Sequence, residues 1–465
     1  MHYISTRGGA PALNFEEVTL TGLGSDGGLY VPRDWPVFSP DEIAGLAGLP
    51  YAVLAARIMQ PFVGDSLSPE RLQELCTQAY ARFAHRAVTP LVQLDERHWL
   101  LELFHGPTLA FKDVALQLLG RLFEEFLARR EDHLTIVGAT SGDTGSAAID
   151  AVAGRAKIDI FMLHPKGRIS DVQRRQMTTV KAPNVFNIAI DGSFDEAQAM
   201  VKRMFGDPAL TATLRIGAVN SINWARLMAQ VVYYFAAALQ LGAPHRRVAF
   251  AVPTGNFGDV FAGYVAARMG LPVERLIVAT NVNDILHRAL STGDYSVGAV
   301  TATAAPSMDI QVSSNFERLL FDCGGRDGAA LAQQMRGFEA SKAMRLTNAQ
   351  SRGAAALLSS ARADAGEMAG AMNWAWEQCG ELIDPHTAIG LHAARAADLP
   401  AGVPIVTLAT AHPAKFRSAV ERATGHRPSL PTRIGDLFDR EERYVELPGD
   451  YAAVAAYVAQ HAAHR

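Results

Sequence analysis

Short apolar runs that fit buried strands alternate with helical stretches from about residue 90 onward, and this alternation constrains the fold more than any other feature. The runs cover 134–140, 158–163, 184–190, 248–253, 276–280 and 405–409. Strands that are apolar on both faces, with helical crossovers between them, are typical of a parallel sheet buried between helices. Ligands bind such sheets beyond the carboxyl ends of the strands. Functional residues are therefore expected in the loops that follow these runs.

The length of the chain predicts more than one domain, because 465 residues exceed what one simple core usually holds. The predicted units are a mostly helical N-terminal unit (1–90), an α/β region (91–440) and a C-terminal helical tail (441–465). The α/β region is predicted to have a large and a small domain, with about 130–225 mainly the small domain and 283–380 a helical insertion. In the first unit Ser39 and Ser68, each followed by proline, are typical N-caps of helices.

Composition excludes several classes of protein. With 43 basic and 47 acidic residues the net charge is −4. The sequence lacks a basic patch interleaved with aromatic residues, so a nucleic-acid partner is not expected. The longest apolar run is shorter than the ~18 residues that span a bilayer, and the N-terminus lacks a secretory signal pattern. Cys76, Cys323 and Cys379 show no metal-type spacing. They are interpreted as free thiols, so we expect a cytoplasmic protein without a metal site or a membrane partner.

Lys112 is the strongest candidate for a reactive side chain. It follows the turn-rich segment His105–Thr108 and lies between Leu-Ala-Phe and, after Asp113, Val-Ala-Leu, whereas most of the other six lysines have polar or charged neighbours. Burial of an ammonium group is costly unless it is paired or deprotonated. A deprotonated lysine can attack a carbonyl and form a Schiff base. The alternative is a lysine at a helix start whose head reaches solvent.

Two glycine-rich loops each follow a predicted strand and open a predicted helix. The first is Ser141-Gly142-Asp143-Thr144-Gly145, and the second is Gly255-Asn256-Phe257-Gly258-Asp259. Backbone N–H groups at a helix N-terminus bind anions, so both loops suit a phosphate or a carboxylate. The second loop has neither the P-loop pattern nor the dinucleotide fingerprint. For the first loop, the alternative is an ordinary turn in which Thr144 caps the helix.

Further polar groups lie at two other loops. Asn220, Ser221, Asn223 and Arg226 precede or begin an apolar helix, and Arg226 lies one turn beyond Asn223. A guanidinium suits a phosphate or a carboxylate, although a helix cap and a surface arginine would give the same pattern. Thr410 ends the last predicted strand, and its hydroxyl could bind a ring nitrogen without charging it. An amine, a phosphate cradle and a partner for a ring nitrogen are together what pyridoxal 5'-phosphate requires.

The motifs in this chain resemble those of the long-type threonine synthases of bacteria and fungi, within the fold-type-II pyridoxal-phosphate enzymes. The segments that carry the resemblance are Tyr3–Gly8 with Asp26–Pro32, His105–Asp113, Ser141–Gly145, Gly255–Asp259, Ser307–Ile310 with Ser313–Arg318, and Thr410–Phe416. They follow the order expected for the family over nearly the whole chain. The resemblance implies a tryptophan synthase β-like α/β fold with two α/β domains and parallel-rich sheets.

The resemblance also implies an activity and a set of site residues. The family converts O-phospho-L-homoserine and water to L-threonine and phosphate, by γ-elimination and β-addition of water on pyridoxal 5'-phosphate. Lys112 would hold the cofactor and move protons. Cofactor contacts are implied at Gly255, Asn256, Phe257, Gly258, Asp259 and Thr410. Substrate contacts are implied at Ser141, Gly142, Asp143, Thr144, Asn220, Ser221, Asn223 and Arg226. A monomer or weak homodimer is expected.

Two questions stay open at the level of sequence. Many fold-type-II enzymes have asparagine where this chain has Asp143, and an ionised aspartate cannot donate a hydrogen bond to the 3'-oxygen of the cofactor. A phospholyase acting on a related amino-alcohol phosphate, which releases a keto acid and ammonia, is the close alternative function. A non-catalytic, metabolite-binding relative would need a damaged cofactor site, whereas the lysine, the glycine loop and the strand-end threonine are all present.

Overall fold

Two parallel-rich sheets organise the chain in the computed structural model, which describes residues 1–140, 142–167 and 169–462. The strands are β1 (Tyr3–Ser5), β2 (Tyr30–Pro32), β3 (Leu91–Gln93), β4 (His98–Glu102), β5 (Leu134–Ala139), β6 (Ile158–Pro165), β7 (Val185–Ile190), β8 (Ile216–Gly217), β9 (Val248–Pro253), β10 (Val273–Thr280), β11 (Asp294–Ser296), β12 (Ala343–Arg345), β13 (Leu358–Arg362), β14 (Ile405–Ala409) and β15 (Val445–Leu447).

Helices cover both sheets and form most of the N-terminal unit. They are α1 (Phe15–Thr21), α2 (Pro40–Ala44), α3 (Tyr51–Val63), α4 (Pro69–Tyr80), α5 (Lys112–Arg130), α6 (Asp143–Val152), α7 (Asp171–Thr178), α8 (Phe194–Phe205), α9 (Pro208–Thr211), α10 (Trp224–Gln240), α11 (Gly258–Arg268), α12 (Ile285–Thr292), α13 (Phe316–Cys323), α14 (Gly328–Ser341), α15 (Asn348–Ala355), α16 (Ala365–Cys379), α17 (Pro385–Ala396), α18 (Arg417–Thr424) and α19 (Tyr451–His461). Among the described residues, none of these helices combines the length and the apolar character that a bilayer span requires.

The large sheet has the strand order β13-β10-β9-β14-β4-β3, parallel except for β3, and the small sheet has the all-parallel order β15-β7-β6-β5-β8. Strands β6, β9 and β14 are buried along their whole length. This burial explains their near-continuous apolar sequences and confirms the predicted α/β class. It also places the loops after β5, β9 and β14 at the carboxyl ends of strands.

Two segments differ from the predicted organisation. The predicted helical insertion, 283–380, contains β13, which pairs in parallel with β10, and the antiparallel pair β11–β12. The predicted helical tail, 441–465, contributes β15 to the small sheet before α19 begins. β13 and β15 lie at the edges of their sheets. An edge strand needs fewer apolar residues than a central strand. The sequence Leu-Ser-Ser-Ala-Arg of β13 therefore gives little signal of a strand.

Helix α10 joins the N-terminal unit to the α/β region. Its residues from Trp224 to Ala238 are all buried. The ring of Trp224 lies 5.7 Å from the rings of both Tyr3 and Phe62, measured between centroids. The expected caps Ser39 and Ser68 each accept a hydrogen bond from a backbone N–H in the first turn of α2 or α4, which confirms those two helix starts.

Helices α5 and α6, which begin at Lys112 and Asp143, cross in close contact at Gly120. A Cβ atom on Gly120 would lie 2.4 Å from the carbonyl oxygen of Ala151, which belongs to the backbone of α6 and cannot rotate away. The absence of a side chain at Gly120 therefore sets the spacing of the two helices.

Gly120→Ala is expected to lower the stability of the fold by about 1–3 kcal/mol, because α5 and α6 must move apart. Gly370→Ala is the matched control, since Gly370 lies within α16 with open space around the added Cβ. The control is expected to keep or raise stability by about 0.5–1 kcal/mol. Urea midpoints of the two variants measure the difference, and equal midpoints would contradict the proposed contact.

Candidate active site

Lys112 and Thr410 are brought together by a short antiparallel bridge between Ala110 and Ala411. The backbone N–H of Phe111 donates to the carbonyl of Thr410 at 2.8 Å, and the N–H of His412 donates to Leu109 at 3.0 Å. This bridge places the start of α5 at the carboxyl end of β14. The two residues predicted on sequence to act on one ligand are thus neighbours in the fold.

The side chain of Lys112 is buried, with 8% of the residue exposed. Its Nζ lies 3.8 Å from Oδ2 of Asp143 and 4.9 Å from the ring centroid of Phe111. Burial lowers the pKa of Lys112 to about 8; Asp143 opposes this shift, and Arg226 adds to it. The alternative of a lysine whose head reaches solvent is therefore wrong, and the amine loses its proton at a lower pH than an exposed lysine does.

Asp143 lies between two lysines. Its Oδ1 accepts hydrogen bonds of 2.7 Å from Lys415 Nζ and 2.7 Å from Gln173 Nε2. Burial alone would raise the pKa of Asp143, but Lys415 and Lys112 outweigh it and lower that pKa well below its usual range. Asp143 is therefore an ionised carboxylate that accepts hydrogen bonds.

Lys415 is a site residue to which the sequence reasoning gave no role. It is 2% exposed, and its Nζ also donates to the carbonyl of Thr108 at 2.7 Å. Its flanking residues, Ala414 and Phe416, are both apolar, whereas Lys112 has an apolar neighbour only on its N-terminal side, Phe111. The signal that singled out Lys112 was thus present at Lys415 as well.

The loop after β5 is shaped by Gly142 and Thr140. Gly142 precedes α6 with a φ of 149°, and a Cβ there would lie 2.5 Å from the amide of Gln173. The Oγ1 of Thr140 accepts hydrogen bonds from the N–H groups of Gly142 (3.0 Å) and Gly145 (2.9 Å). Thr140 therefore binds these N–H groups, where the sequence alternative had Thr144 as the cap. Ser141, a predicted substrate contact, lies outside the described residues.

The loop after β9 forms a cradle of free N–H groups. A Cβ on Gly255 would lie 2.5 Å from the carbonyl oxygen of Ser307, and Phe257 has a φ of 62° in the left-handed region. The carbonyls of Gly255 and Asn256 accept bonds from Ser313 Oγ (2.7 Å) and the Asn315 side chain (3.0 Å). Within the described residues, the N–H groups of Gly255, Asn256 and Phe257 have no acceptor. This arrangement fits a phosphate held by the backbone, as pyridoxal 5'-phosphate requires.

Asp259, predicted as a cofactor contact, has its carboxylate engaged by helix α10. Its Oδ1 accepts hydrogen bonds from the hydroxyls of Tyr233 and Tyr234. Burial raises the pKa of Asp259 to about 6, although both tyrosines and Arg226 oppose the shift. The side chain thus ties the cradle's helix to α10.

Arg226 is a buried arginine that forms no salt bridge among the described residues. It is 4% exposed, and its Nη1 has no hydrogen-bond partner in the described part of the chain. Burial lowers the pKa of Arg226 to about 10, with Tyr233 and Asp259 opposing. The alternative of a surface arginine is therefore wrong. A desolvated guanidinium without a carboxylate is expected to bind an anion.

Asn223, Ser221 and Asn220 were predicted to act with Arg226, and they have different hydrogen-bond partners. The side chain of Asn223 donates to the carbonyl of Thr19 at 2.8 Å and caps α10 by accepting from Ala225 at 3.0 Å, so the structure shows the helix-cap alternative. Ser221 Oγ lies 3.3 Å from Ser314 Oγ, and Asn220 accepts at 3.3 Å from the N–H of Ile222.

Asn315 and Arg318 hold these loops together. The Nδ2 of Asn315 donates to the carbonyls of Asn256 (3.0 Å) and Ser221 (3.1 Å). Arg318, which is fully buried, donates to the side chain of Asn315 and to the carbonyls of Tyr30 (3.0 Å) and Ile222 (2.6 Å). The sequence motif included both residues, but their long-range partners were not readable from it.

The N-terminal motif binds the same segment. Thr6 Oγ1 donates to Oε1 of Glu317 at 2.7 Å, and the guanidinium of Arg7 makes two bonds to that carboxylate, at 3.1 and 3.0 Å. Asp26 in turn accepts from Ser5 Oγ and from backbone N–H groups of the same unit. The N-terminal unit thus fixes Glu317 beside Arg318, one step from the cradle.

Comparison with known proteins covers the whole chain. The family "Threonine synthase N terminus" matches residues 2–80, "Pyridoxal-phosphate dependent enzyme" matches 83–366, and "Threonine synthase, C-terminal" matches 387–458. A threonine synthase of Pseudomonas aeruginosa is 55% identical over 99% of this chain and 98% of its own. The chain belongs to the threonine synthase family. Threonine synthase-like 2 of Homo sapiens is 37% identical over 95% of the chain and 93% of its own.

Solved threonine synthase structures have the same fold. A threonine synthase with bound pyridoxal phosphate from Brucella melitensis superposes with a TM-score of 0.97 at 50% identity, over 99% of both chains. The threonine synthase from yeast gives 0.94 at 37% identity, over 99% of this chain and 98% of its own. Membership of the threonine synthase family, and of the fold-type-II pyridoxal-phosphate enzymes, is thereby confirmed.

The lowered pKa of Lys112 predicts a pH-dependent stability. In the cofactor-free protein the unfolded state binds more protons than the folded state between about pH 8 and 10.5, so stability rises with pH in that window. Lys112→Met lacks this term. The stability of wild type relative to the variant should therefore rise by up to about 3 kcal/mol across the window. Urea midpoints at both ends measure it, with the exposed Lys202→Met as control, and a constant difference would contradict it.

Asn315→Ala is expected to weaken cofactor binding about tenfold, because the side-chain bonds to the carbonyls of Ser221 and Asn256 are lost and Asn256 keeps only the backbone N–H of residue 315. Titration of the cofactor-free protein with pyridoxal 5'-phosphate, followed by fluorescence, measures the affinity. Asn348→Ala, at the exposed start of α15, is the control. Equal affinities in the two variants would show that Asn315 does not hold the cradle.

Proposed function

We propose that the chain is a threonine synthase that converts O-phospho-L-homoserine and water to L-threonine and phosphate. The observation that carries the proposal is the buried amine of Lys112 together with two groups suited to anions. These are the guanidinium of Arg226, whose Nη1 has no hydrogen-bond partner among the described residues, and the N–H cradle at Gly255–Phe257. A substrate that carries a phosphate, on a cofactor that carries another, supplies one anion for each.

The residues present fit pyridoxal 5'-phosphate, the cofactor of the family. Lys112 would hold its aldehyde, Gly255, Asn256, Phe257 and Gly258 its phosphate, and Thr410 its ring nitrogen. When bound, the cofactor supplies an electron sink for the carbon acid chemistry of the amino-acid substrate.

Lys112 is suited to move protons because its amine is desolvated. A base works best when its pKa lies near the working pH, and burial brings the pKa of Lys112 to about 8. Its position at the first turn of α5, fixed by the bridge to Thr410, keeps the amine at one place while substrate binds.

Arg226 is suited to hold the leaving phosphate of the substrate. It is rigidly placed on a buried helix, and its charge is not neutralised by a hydrogen-bonded carboxylate among the described residues. Ser221 and Asn220 line the loop just before it and are proposed as further phosphate contacts. Gly142, Asp143 and Thr144 are proposed to lie along the substrate carboxylate and the ring of the cofactor.

Arg226→Met is expected to reduce kcat/KM for O-phospho-L-homoserine by about a hundredfold or more, since a buried charge-assisted contact is worth several kcal/mol. Cofactor affinity should change little, because the cradle is built from backbone groups. Arg268→Met, an arginine 53% exposed at the end of α11, is the control. An unchanged kcat/KM in Arg226→Met would remove Arg226 from the substrate site.

Product identity separates this proposal from the phospholyase alternative. Phosphate release from O-phospho-L-homoserine should be matched by L-threonine in equal amount and should be lost in Lys112→Ala. Release of phosphate with a keto acid and ammonia, and no threonine, would favour the phospholyase instead. A folded Lys112→Ala that still turns over would contradict both.

The cell compartment and assembly state are further proposals. Cys76, Cys323 and Cys379 are free thiols, and Cys76 is buried, which supports a reducing compartment such as the cytoplasm. A monomer or weak homodimer stays a prediction, and sedimentation of the purified chain measures it.

A further inference from the structure

We propose that Lys415 is a positioning residue that controls the charge on the nitrogen of Lys112 through the carboxylate of Asp143. The inference rests on the proposed role of Lys112 in holding the cofactor. It assigns a function to a buried lysine that makes no contact to substrate in the proposal above.

Lys415 and Lys112 lie at different distances from the carboxylate of Asp143. Lys415 Nζ lies 2.7 Å from Asp143 Oδ1 and 2.7 Å from the carbonyl of Thr108, and its side chain is fully buried. Gln173 occupies the same Oδ1 at 2.7 Å. Lys112 Nζ has only the longer 3.8 Å approach to Oδ2. Lys415 therefore has two short acceptors, whereas Lys112 has one distant acceptor.

Charged groups of both signs face Lys112. They are Asp143 at the start of α6, Arg226 on α10, Lys415 before α18, Asp113 on its own helix and Asp259 on α11. Asp113 is held by the N–H and hydroxyl of Thr108, and Asp259 by two tyrosine hydroxyls. Asp143 is thus the one carboxylate of this group in an ion pair with a lysine.

Of two buried lysines that share a carboxylate, the one with the shorter contacts keeps its proton more easily. Lys415 thus forms the short ion pair with Asp143 and leaves Lys112 without a close counter-charge. Without Lys415, Lys112 would be the lysine that pairs with Asp143, and the negative charge of Asp143 would favour protonation of the Lys112 nitrogen.

This arrangement also accounts for aspartate at a position where many fold-type-II enzymes have asparagine. The pair Asp143–Lys415 carries no net charge, and in this respect it resembles a neutral asparagine. Like the amide of asparagine, it combines an acceptor, the carboxylate, with a hydrogen-bond donor, the Lys415 ammonium. The pair, and not Asp143 alone, is the unit that faces Lys112.

The test is a pH titration of the absorbance of the cofactor–lysine linkage in the purified holoenzyme, which reports protonation of the Lys112 nitrogen without turnover. Lys415→Met should move the midpoint upward by about one pH unit, and Asp143→Asn should move it downward by a similar amount. The double variant should return close to wild type. Lys415→Arg keeps the charge and should also titrate near wild type.

A control variant and the double variant complete the experiment. Lys181→Met, which removes an exposed lysine paired with Glu441 at 2.6 Å, should leave the midpoint unchanged. If loss of the Thr108 contact prevents Lys415→Met from folding, the double variant serves, since it leaves no unpaired charge in the pair: its midpoint must lie above that of Asp143→Asn. An unchanged or lower midpoint in Lys415→Met, or a double variant equal to Asp143→Asn, overturns the inference. A wild-type protein that shows no cofactor band overturns the proposed function instead.

Discussion

The site depends on one constraint, the burial of three positively charged side chains near the carboxylate of Asp143. Lys112, Lys415 and Arg226 are all buried, and Asp143 is the carboxylate that forms ion pairs with two of them. Burial of these cations costs less free energy if a lysine loses its proton or if an anion binds beside them. Both outcomes serve the proposed chemistry, because one gives a reactive amine and the other gives binding sites for phosphate.

The N-terminal unit and the inserted segment make this arrangement rigid. Thr6 and Arg7 bind Glu317, and the neighbouring Arg318 connects Tyr30 to Asn315. Asn315 then fixes the loops before α10 and α11 from one amide group. The N-terminal unit, which carries no chemistry of its own, is thus part of the scaffold of the site. This explains why motifs far apart in the chain belong to one family pattern.

The fully buried strands β9 and β14 could be predicted from the sequence to the residue, whereas the central strand β4, which has polar residues at both ends, was not predicted and β10 begins before its predicted run. β9 and β14 are buried on both faces, so their boundaries coincide with their apolar runs. β13 and β15 are short edge strands and resemble loops in sequence. Within the site, Lys112 was readable from its apolar neighbours. Asn223 and Arg226 had equal claims on sequence, because only the fold shows that the amide of Asn223 is bound to Thr19.

The two proposed phosphate sites differ in a way that matches the fates of the two phosphates. The cradle at Gly255–Phe257 uses backbone N–H groups, whose dipoles are fixed and carry no net charge. Such a site suits a cofactor phosphate that stays bound and unchanged throughout the reaction. Arg226 carries a full charge. A departing phosphate gains negative charge as its bond to carbon breaks, so a cation there stabilises the transition state more than the ground state. Binding at Arg226 would therefore contribute to rate, whereas binding at the cradle would contribute only to retention of the cofactor.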